Sequence, residues 1–285
     1  MIFVLGVAAA ALLGAGWVIQ QRVAIDSGSS DVFSWSQLLN LARSGLWWAG
    51  IGAMALGQTL SAWALQWGAV STVEPVLVTS LLFAFGISAV LADARVRWLE
   101  LVGSLVLCIA LAVFLGAGDP QVNRDSDPGW LAITIAAAAS AIAAASLWLI
   151  GCTTATDMKH VAKPALFGAA AGVMYGLQDA ATRGAIVATE RHNVVVMFST
   201  LWPWVLLGSA TIGVLLSQSA FRTGRLDFAL PPTVVAQPIA GVVIGICLLR
   251  DSLSTTGWDL AFESLCLVGM IVGVTMISRS SALTP

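Results

Sequence analysis

The stretch SGLWWAGIGAMALGQTLSAWALQWG at positions 44–68 is long and apolar enough to cross a bilayer as a helix. A second stretch, TLWPWVLLGSATIGVLLSQSAFRTG at 200–224, aligns with it when the chain is shifted by 156 residues. Seven of the 25 aligned positions are identical, where chance would give about two. The identical pairs are Trp48/Trp204, Gly52/Gly208, Gly57/Gly213, Leu60/Leu216, Ser61/Ser217, Ala64/Ala220 and Gly68/Gly224. The sequence therefore predicts an internal repeat of membrane helices.

The composition of the whole chain agrees with a membrane protein. Of its 285 residues, 58% are hydrophobic and 10% are charged, and the mean hydropathy is +0.91. Soluble domains carry about 25% charged residues, so a soluble globular enzyme and a disordered chain are excluded. A net charge of −2 with few lysines excludes nucleic acid as a partner. The chain has no motif of a hydrolase, metalloprotease or nucleotide-binding loop, so we expect neither an enzyme nor an ATP-driven pump.

Long apolar runs separated by polar breaks predict an all-α integral membrane protein with nine spanning helices. The Lys and Arg residues set its orientation. With the N-terminus outside and the C-terminus in the cytoplasm, nine of them fall in cytoplasmic segments and three outside. The expected location is the cell membrane, with the lipid bilayer as a partner. The predicted spans are 2–23, 45–67, 69–91, 98–117, 129–151, 164–189, 195–217, 228–249 and 258–278.

The repeat divides the chain into three parts. Residues 1–117 form a first repeat of helices 1–4, residues 118–163 hold a connecting helix 5, and residues 164–285 form a second repeat of helices 6–9. Small changes of offset align Trp17 with Tyr175 and Gln20 with Gln178. Because five helices separate equivalent elements, the second copy is inverted in the bilayer. Inverted repeats are typical of alternating-access transporters, which bind substrate between the copies.

Several short motifs resemble the NIPA-like branch of the drug/metabolite transporter (DMT) superfamily. They are the WWAG opening of helix 2, TVEPV at the start of helix 3, DPGW at 127–130 and GLQDAATRGA at 176–185. The resemblance implies an inverted-repeat transporter, often with ten helices, whereas nine are counted here. NIPA-like members are assigned magnesium transport, and other members move metabolites, drugs, nucleotide sugars or lipid-linked groups. The Asn-Glu-Arg turn that follows helix 3 in that branch reads ADAR here, so the cation role of its Glu is not carried over.

Ionisable residues inside spanning helices are costly and are candidates for binding. They are Glu74, Asp179, Arg183 and Glu263. Asp179 and Arg183 lie four residues apart on one helical face, which suits either a structural ion pair or a gate. Glu74, before Pro75, suits either a helix start or a site lined by freed carbonyls. Glu263 suits either an interfacial position or a binding role.

Neutral polar and aromatic side chains are further candidates for binding a metabolite. Each suits either a ligand contact or an interhelical hydrogen bond. Gly168, Gly172 and Gly176, at every fourth position, instead predict close helix packing. The neutral candidates are Trp17, Gln20, Gln21, Gln58, Tyr175, Gln178 and Gln237.

The predicted function is that of a secondary transporter of a small or amphipathic metabolite, with protons coupled through Glu74, Asp179 or Glu263. One alternative is a Mg²⁺ transporter, in which these carboxylates converge on the ion. Another is a non-transporting scaffold or a flippase accessory for lipid-linked sugars. No cofactor is expected beyond H⁺ or Mg²⁺ as a transported or coupling ion. The substrate is a small molecule or an ion, and a homodimer is a further expectation.

Overall fold

The computed structural model describes residues 2–26, 42–65, 76–77, 79–91, 98–118, 128–154, 159–191, 197–223, 226–249 and 259–282. These residues form nine α-helices and no strand. The all-helical class is therefore confirmed for this part of the chain, whereas the nine membrane spans stay a prediction. The helices are α1 (Ile2–Asp26), α2 (Gly45–Leu65), α3 (Ser80–Leu91), α4 (Trp98–Gly118), α5 (Trp130–Thr153), α6 (Lys159–Arg191), α7 (Trp202–Thr223), α8 (Leu226–Leu249) and α9 (Asp259–Ala282).

The described helices include segments that suit a membrane. Four of them are long and apolar enough to cross it, namely α1, α5, α7 and α8. Shorter apolar segments lie in α3, α4 and α9. Two helices differ most from their predicted bounds. The sixth begins at Lys159 rather than 164, and the seventh runs from Trp202 to Thr223 rather than from 195 to 217. The predicted start of the third helix at 69 lies outside the described residues.

The helices group into two compact units. The first unit comprises Met1–Asp119, Gly224–Pro231 and Ser254–Pro285. The second comprises Pro120–Thr223 and Pro232–Leu253. The repeats predicted from the sequence, bounded at 117 and 163, are a different division of the chain: by packing, α9 groups with α1–α4, and α5 groups with α6 and α7. The difference arises because α9 packs against α4.

In the first unit, α1 lies between α2 and α3. Its contacts with α2 run antiparallel: Gly57 lies against Leu13 and the carbonyl of Ala9, while Gln20 lies against Trp47. Its contacts with α3 run parallel. A Cβ built on Gly14 would lie 2.7 Å from the carbonyl oxygen of Ser80 on α3. Glycine is therefore required where these two backbones approach.

The other helix pair of the first unit is α4 with α9. A Cβ built on Gly273 would lie 2.9 Å from Cβ of Leu107, and one built on Gly269 would lie 3.0 Å from Cβ of Ala110. Residues later in α4 contact residues earlier in α9. The two helices are therefore antiparallel, and small residues allow their backbones to pack closely.

In the second unit, α6 lies between α7 and α8, and α5 packs against its N-terminal part. The contacts of α6 with α7 run antiparallel, with Gly184 against Trp202 and Gly213 against Tyr175. Those with α8 run parallel: Cβ atoms built on Gly172 and Gly176 would lie 2.5 Å from the carbonyl oxygens of Thr233 and Gln237, respectively. The predicted close packing of these two glycines is confirmed.

The two three-helix groups, α1–α3 and α6–α8, share the same order of contacts. These contacts contradict one alignment that the sequence predicted. Leu13 contacts Gly57 in the first group, and Tyr175 contacts Gly213, the counterpart of Gly57, in the second. By these contacts Tyr175 corresponds to Leu13, not to Trp17 as predicted. The counterpart of Trp17 is then Asp179. The predicted alignment of α6 was one helical turn out, because a four-residue shift leaves the helix face nearly unchanged.

Replacing Gly176 by leucine should destabilise the second unit. Its new side chain would meet the α8 backbone, which cannot move aside as a flexible side chain can, and overpacking of this kind costs about 1–3 kcal/mol. We expect a fall of several degrees in the unfolding temperature in detergent, measured by intrinsic fluorescence. The matched control is Gly208→Leu on α7, since a Cβ there meets nothing within 4 Å. Equal effects of the two changes would contradict the described packing.

The antiparallel α4/α9 pair should be trapped by disulfides. In a background where the four native cysteines are replaced by alanine, we expect Leu107→Cys with Gly273→Cys to cross-link on oxidation. Ala110→Cys with Gly269→Cys should cross-link as well, because both Cβ pairs lie within disulfide reach. Mass spectrometry detects the bond. The control is Ile109→Cys with Gly269→Cys, since Ile109 is exposed, and a parallel pair would not give both cross-links.

Candidate functional site

The strongest candidate for a functional group is the Asp179 carboxylate of α6. Its Oδ2 accepts a hydrogen bond of 2.8 Å from Nε2 of Gln237 on α8. Both side chains are half-buried. The glycines at 172 and 176 bring α8 close enough to α6 for this bond to form. An acid that meets a neutral amide from another helix is held in place without being neutralised by it.

A second hydrogen bond extends the polar surface from α6 toward α7. The hydroxyl of Tyr175 lies 3.1 Å from Oγ of Ser217. Ser217 directs its own hydrogen to the carbonyl of Val214 at 2.9 Å, so Tyr175 is the donor of the pair. Tyr175 and Asp179 are four residues apart and share one face of α6.

A third hydrogen bond joins α6 to α8 further along the helix. Thr233 donates from Oγ1 to the carbonyl oxygen of Gly168 at 2.9 Å. The bonded side chains thus follow the same side of α6 over about three turns. We call them the polar seam of the second unit, and they are Tyr175, Asp179, Ser217, Thr233 and Gln237.

Arg183 and Gln178 border the polar seam on α6, and both are half-buried. The sequence placed Asp179 and Arg183 on one helical face, where they suit either a structural ion pair or a gate. The structure adds a hydrogen bond to Asp179 from Gln237, a long-range partner that the spacing of residues on one helix does not reveal.

The prolines of α8 lie inside a helix that continues from Leu226 to Leu249. Pro238, directly after Gln237, has no N–H group, so the carbonyl of Val234 lacks its usual helical donor. This carbonyl lies one turn before the Asp179–Gln237 bond. A hydrogen-bond acceptor is therefore available close to the polar seam.

The first unit has a different polar cluster at the paired ends of α1 and α2. Gln20 is 2% exposed and donates from Nε2 to the carbonyl of Trp47 at 3.3 Å. Trp17 and Gln21 are also buried. The indole Nε1 of Trp47 is buried and has no hydrogen-bond partner among the described residues. By the contact alignment Trp17 occupies the place of Asp179, so the acid is present in one repeat only.

The remaining predicted residues lie in other parts of the chain. Gln58 lies on α2 in the first unit and is exposed. Glu263 lies within α9, also in the first unit, and Glu74 lies outside the described residues. Among the residues that the structure describes, no three His, Cys, Asp or Glu side chains form a group that could hold a metal ion.

Sequence reasoning missed Ser217, Thr233 and Trp47. For Ser217 a signal was present, since it is identical to Ser61 in the repeat alignment and both are buried. Thr233 lies one turn before Gln237, so it shares the helix face that the predicted glycine packing brings against α6. The sequence did not single out Trp47, whose indole N–H lacks a hydrogen-bond partner among the described residues, because tryptophan is common near the ends of membrane helices.

Comparison with known proteins gives one distant relative. An uncharacterized protein of Corynebacterium glutamicum is 25% identical over 278 residues, which cover 97% of this chain and 94% of that protein. No family model matches the chain, and no solved structure matches it. The similarity spans all nine helices.

Removing the partner of Asp179 should destabilise the protein. Gln237→Leu would leave the half-buried carboxylate without its donor, which costs about 1–3 kcal/mol. We expect a lower unfolding temperature in detergent, and Asp179→Leu combined with Gln237→Leu should cost less than the sum of the single changes. Gln178→Leu is the control, since that amide is half-buried and outside the polar seam. Strict additivity of the double substitution would show that the two side chains do not interact.

Proposed function

We propose that this protein is a multi-pass membrane secondary transporter of the drug/metabolite type, which moves a small or amphipathic metabolite by alternating access. In this proposal all nine helices span the membrane, with the N-terminus outside and the C-terminus in the cytoplasm. Two inverted repeats, α1–α4 and α6–α9, form the moving parts. The polar seam of the second unit, centred on Asp179, takes part in binding and proton coupling.

The observation that carries the proposal is the repeated three-helix packing. In each unit a central helix meets its successor antiparallel and the following helix in parallel. Glycines mark the closest approach at equivalent places, with Gly14 against Ser80 in one unit and Gly176 against Gln237 in the other. Such correspondence is expected of a duplicated transport unit, and it has no evident purpose in a passive anchor.

The α4/α9 pair supports the inverted relation of the two repeats. These helices are equivalent by order, being the fourth of each repeat, and they pack antiparallel. Equivalent helices of two repeats with the same orientation would run in parallel. Their opposite direction is what an inverted duplication requires.

The surroundings of Asp179 support a role in proton coupling. A carboxylate within an apolar helix bundle is costly when charged and unpaired. Gln237 is a neutral partner that can donate to the ionised acid and can accept from the protonated acid. The site therefore tolerates both protonation states without losing its hydrogen bond, which a coupling residue must do.

Transport should depend on a proton gradient through Asp179. Proteoliposomes containing the purified protein are incubated with a bacterial metabolite extract, and the internal contents are measured by mass spectrometry with and without an inward pH gradient. We expect accumulation of at least one metabolite. Asp179→Asn should lower gradient-driven accumulation at least about tenfold but preserve exchange, because an amide cannot carry a proton.

The matched control is Asp26→Asn, since this carboxylate is exposed at the end of α1. Its uptake should equal that of the wild type. An Mg²⁺-sensitive dye inside the same liposomes tests the magnesium alternative, and a signal from Mg²⁺ alone would contradict a metabolite substrate. Liposomes that accumulate nothing under any gradient would favour the non-transporting scaffold.

A further inference from the structure

Gln58 differs from the other described glutamines in its exposure. Of the six that the structure describes, Gln58 is exposed, whereas Gln20, Gln21 and Gln218 are buried and the other two are half-buried. It lies about 20 Å along α2 from the start of the helix and about 10 Å from Leu65. It therefore lies within the hydrocarbon depth of a spanning helix.

The amide of Gln58 has no hydrogen bond to any residue in the described part of the chain. The exposed hydroxyls of the same and other helices behave differently, since they donate to a carbonyl three or four residues earlier on their own helix. Examples are Thr59 to Ala55 and Thr134 to Trp130, each at 2.8 Å. These hydroxyls are compatible with lipid because their donors are satisfied. A primary amide without a partner is not, since its transfer to hydrocarbon costs several kcal/mol.

The direction of Gln58 excludes the lipid-facing side of α2. At about 100° per residue, Gln58 points about 160° away from Leu56, which is 60% exposed. It lies about 20° from buried Trp47 and about 40° from half-buried Met54. Gln58 is thus exposed on the inward side of α2, beside the surface that packs against α1.

Burial along this side of α2 has a local minimum at Gln58. Trp47 is buried, Ile51 and Met54 are half-buried, Gln58 is exposed, and Ser61, one turn further on, is buried again. A local cleft at Gln58, bounded by Met54 and Ser61, accounts for this minimum. Water in the cleft would supply both the donor and the acceptor that the amide lacks.

We propose that Gln58 lines a water-filled cleft that reaches into the hydrocarbon depth along the inward side of α2. This inference rests on the proposed function, since it makes the cleft a wall of the transport pathway. A neutral amide offers one acceptor and two donors, so this wall contacts polar groups of a substrate without selecting for charge.

The test is the accessibility of single cysteines to a membrane-impermeant methanethiosulfonate bearing a quaternary ammonium. In a background without native cysteines, Gln58→Cys, Leu56→Cys and Ile142→Cys are reconstituted in liposomes and modification is followed by intact mass. We expect Gln58→Cys to react about tenfold faster than the other two, because the reactive thiolate forms in water. Met54→Cys, on the same side of α2, should react at an intermediate rate and serves as a second probe.

Equal rates for Gln58→Cys and Leu56→Cys would overturn the inference, since both would then face lipid. So would an oxidant-induced Gln58→Cys dimer that resists the reagent, which would mean that a second copy covers the amide. Transport is measured separately on the wild type. Fast modification without transport would retain the cleft and reject the transporter, whereas transport without modification would reject the cleft alone.

Discussion

The close approach of helix backbones at glycine is the constraint on which the rest of the structure depends. In a bilayer the hydrophobic effect does not drive helices together, so packing and interhelical hydrogen bonds must do so. At Gly14 and Gly176 a side chain as small as a methyl would meet a carbonyl oxygen of the neighbouring helix. The same closeness allows Gln237 to reach Asp179 and Thr233 to reach Gly168. The polar seam is thus a product of the glycine packing.

The two three-helix groups, α1–α3 and α6–α8, share one packing plan but differ in their chemistry. The position that holds Asp179 in the second unit holds Trp17 in the first, and the first unit has its polar cluster at Gln20 and Trp47. The shared packing fixes where side chains are held, while the groups that are present differ between the two. The acid, its amide partner and the proline-freed carbonyl of Val234 occur together in one copy.

Much of the fold was accessible from the sequence. Hydrophobic run length predicted the nine described helices, with the largest differences at the start of α6 and at both ends of α7. Helices that satisfy their backbone internally across an apolar layer are long, which makes their runs easy to detect. Residue identity also located Asp179 and Gln237 as candidates. Their pairing was not predictable, since it joins helices 58 residues apart and depends on rotation about each helix axis. The alignment of Tyr175 with Trp17 was wrong by one turn for a related reason. A shift by a whole helical turn leaves the pattern of buried positions almost unchanged, so helical periodicity does not detect it.

The α4/α9 pair has a consequence for how the chain folds. The first unit receives its last helix from the far end of the sequence, after the whole of α5–α8 has been synthesised. During biosynthesis the Gly103 surface of α4 therefore stays uncovered until α9 has been synthesised. A ribosome that stalls in α8 would release a chain whose second unit is almost complete and whose first unit is open. The native state is thus reached by closing the long segment between α4 and α9. Until then, the surface of α4 around Gly103 is one that chaperones and proteases could recognise.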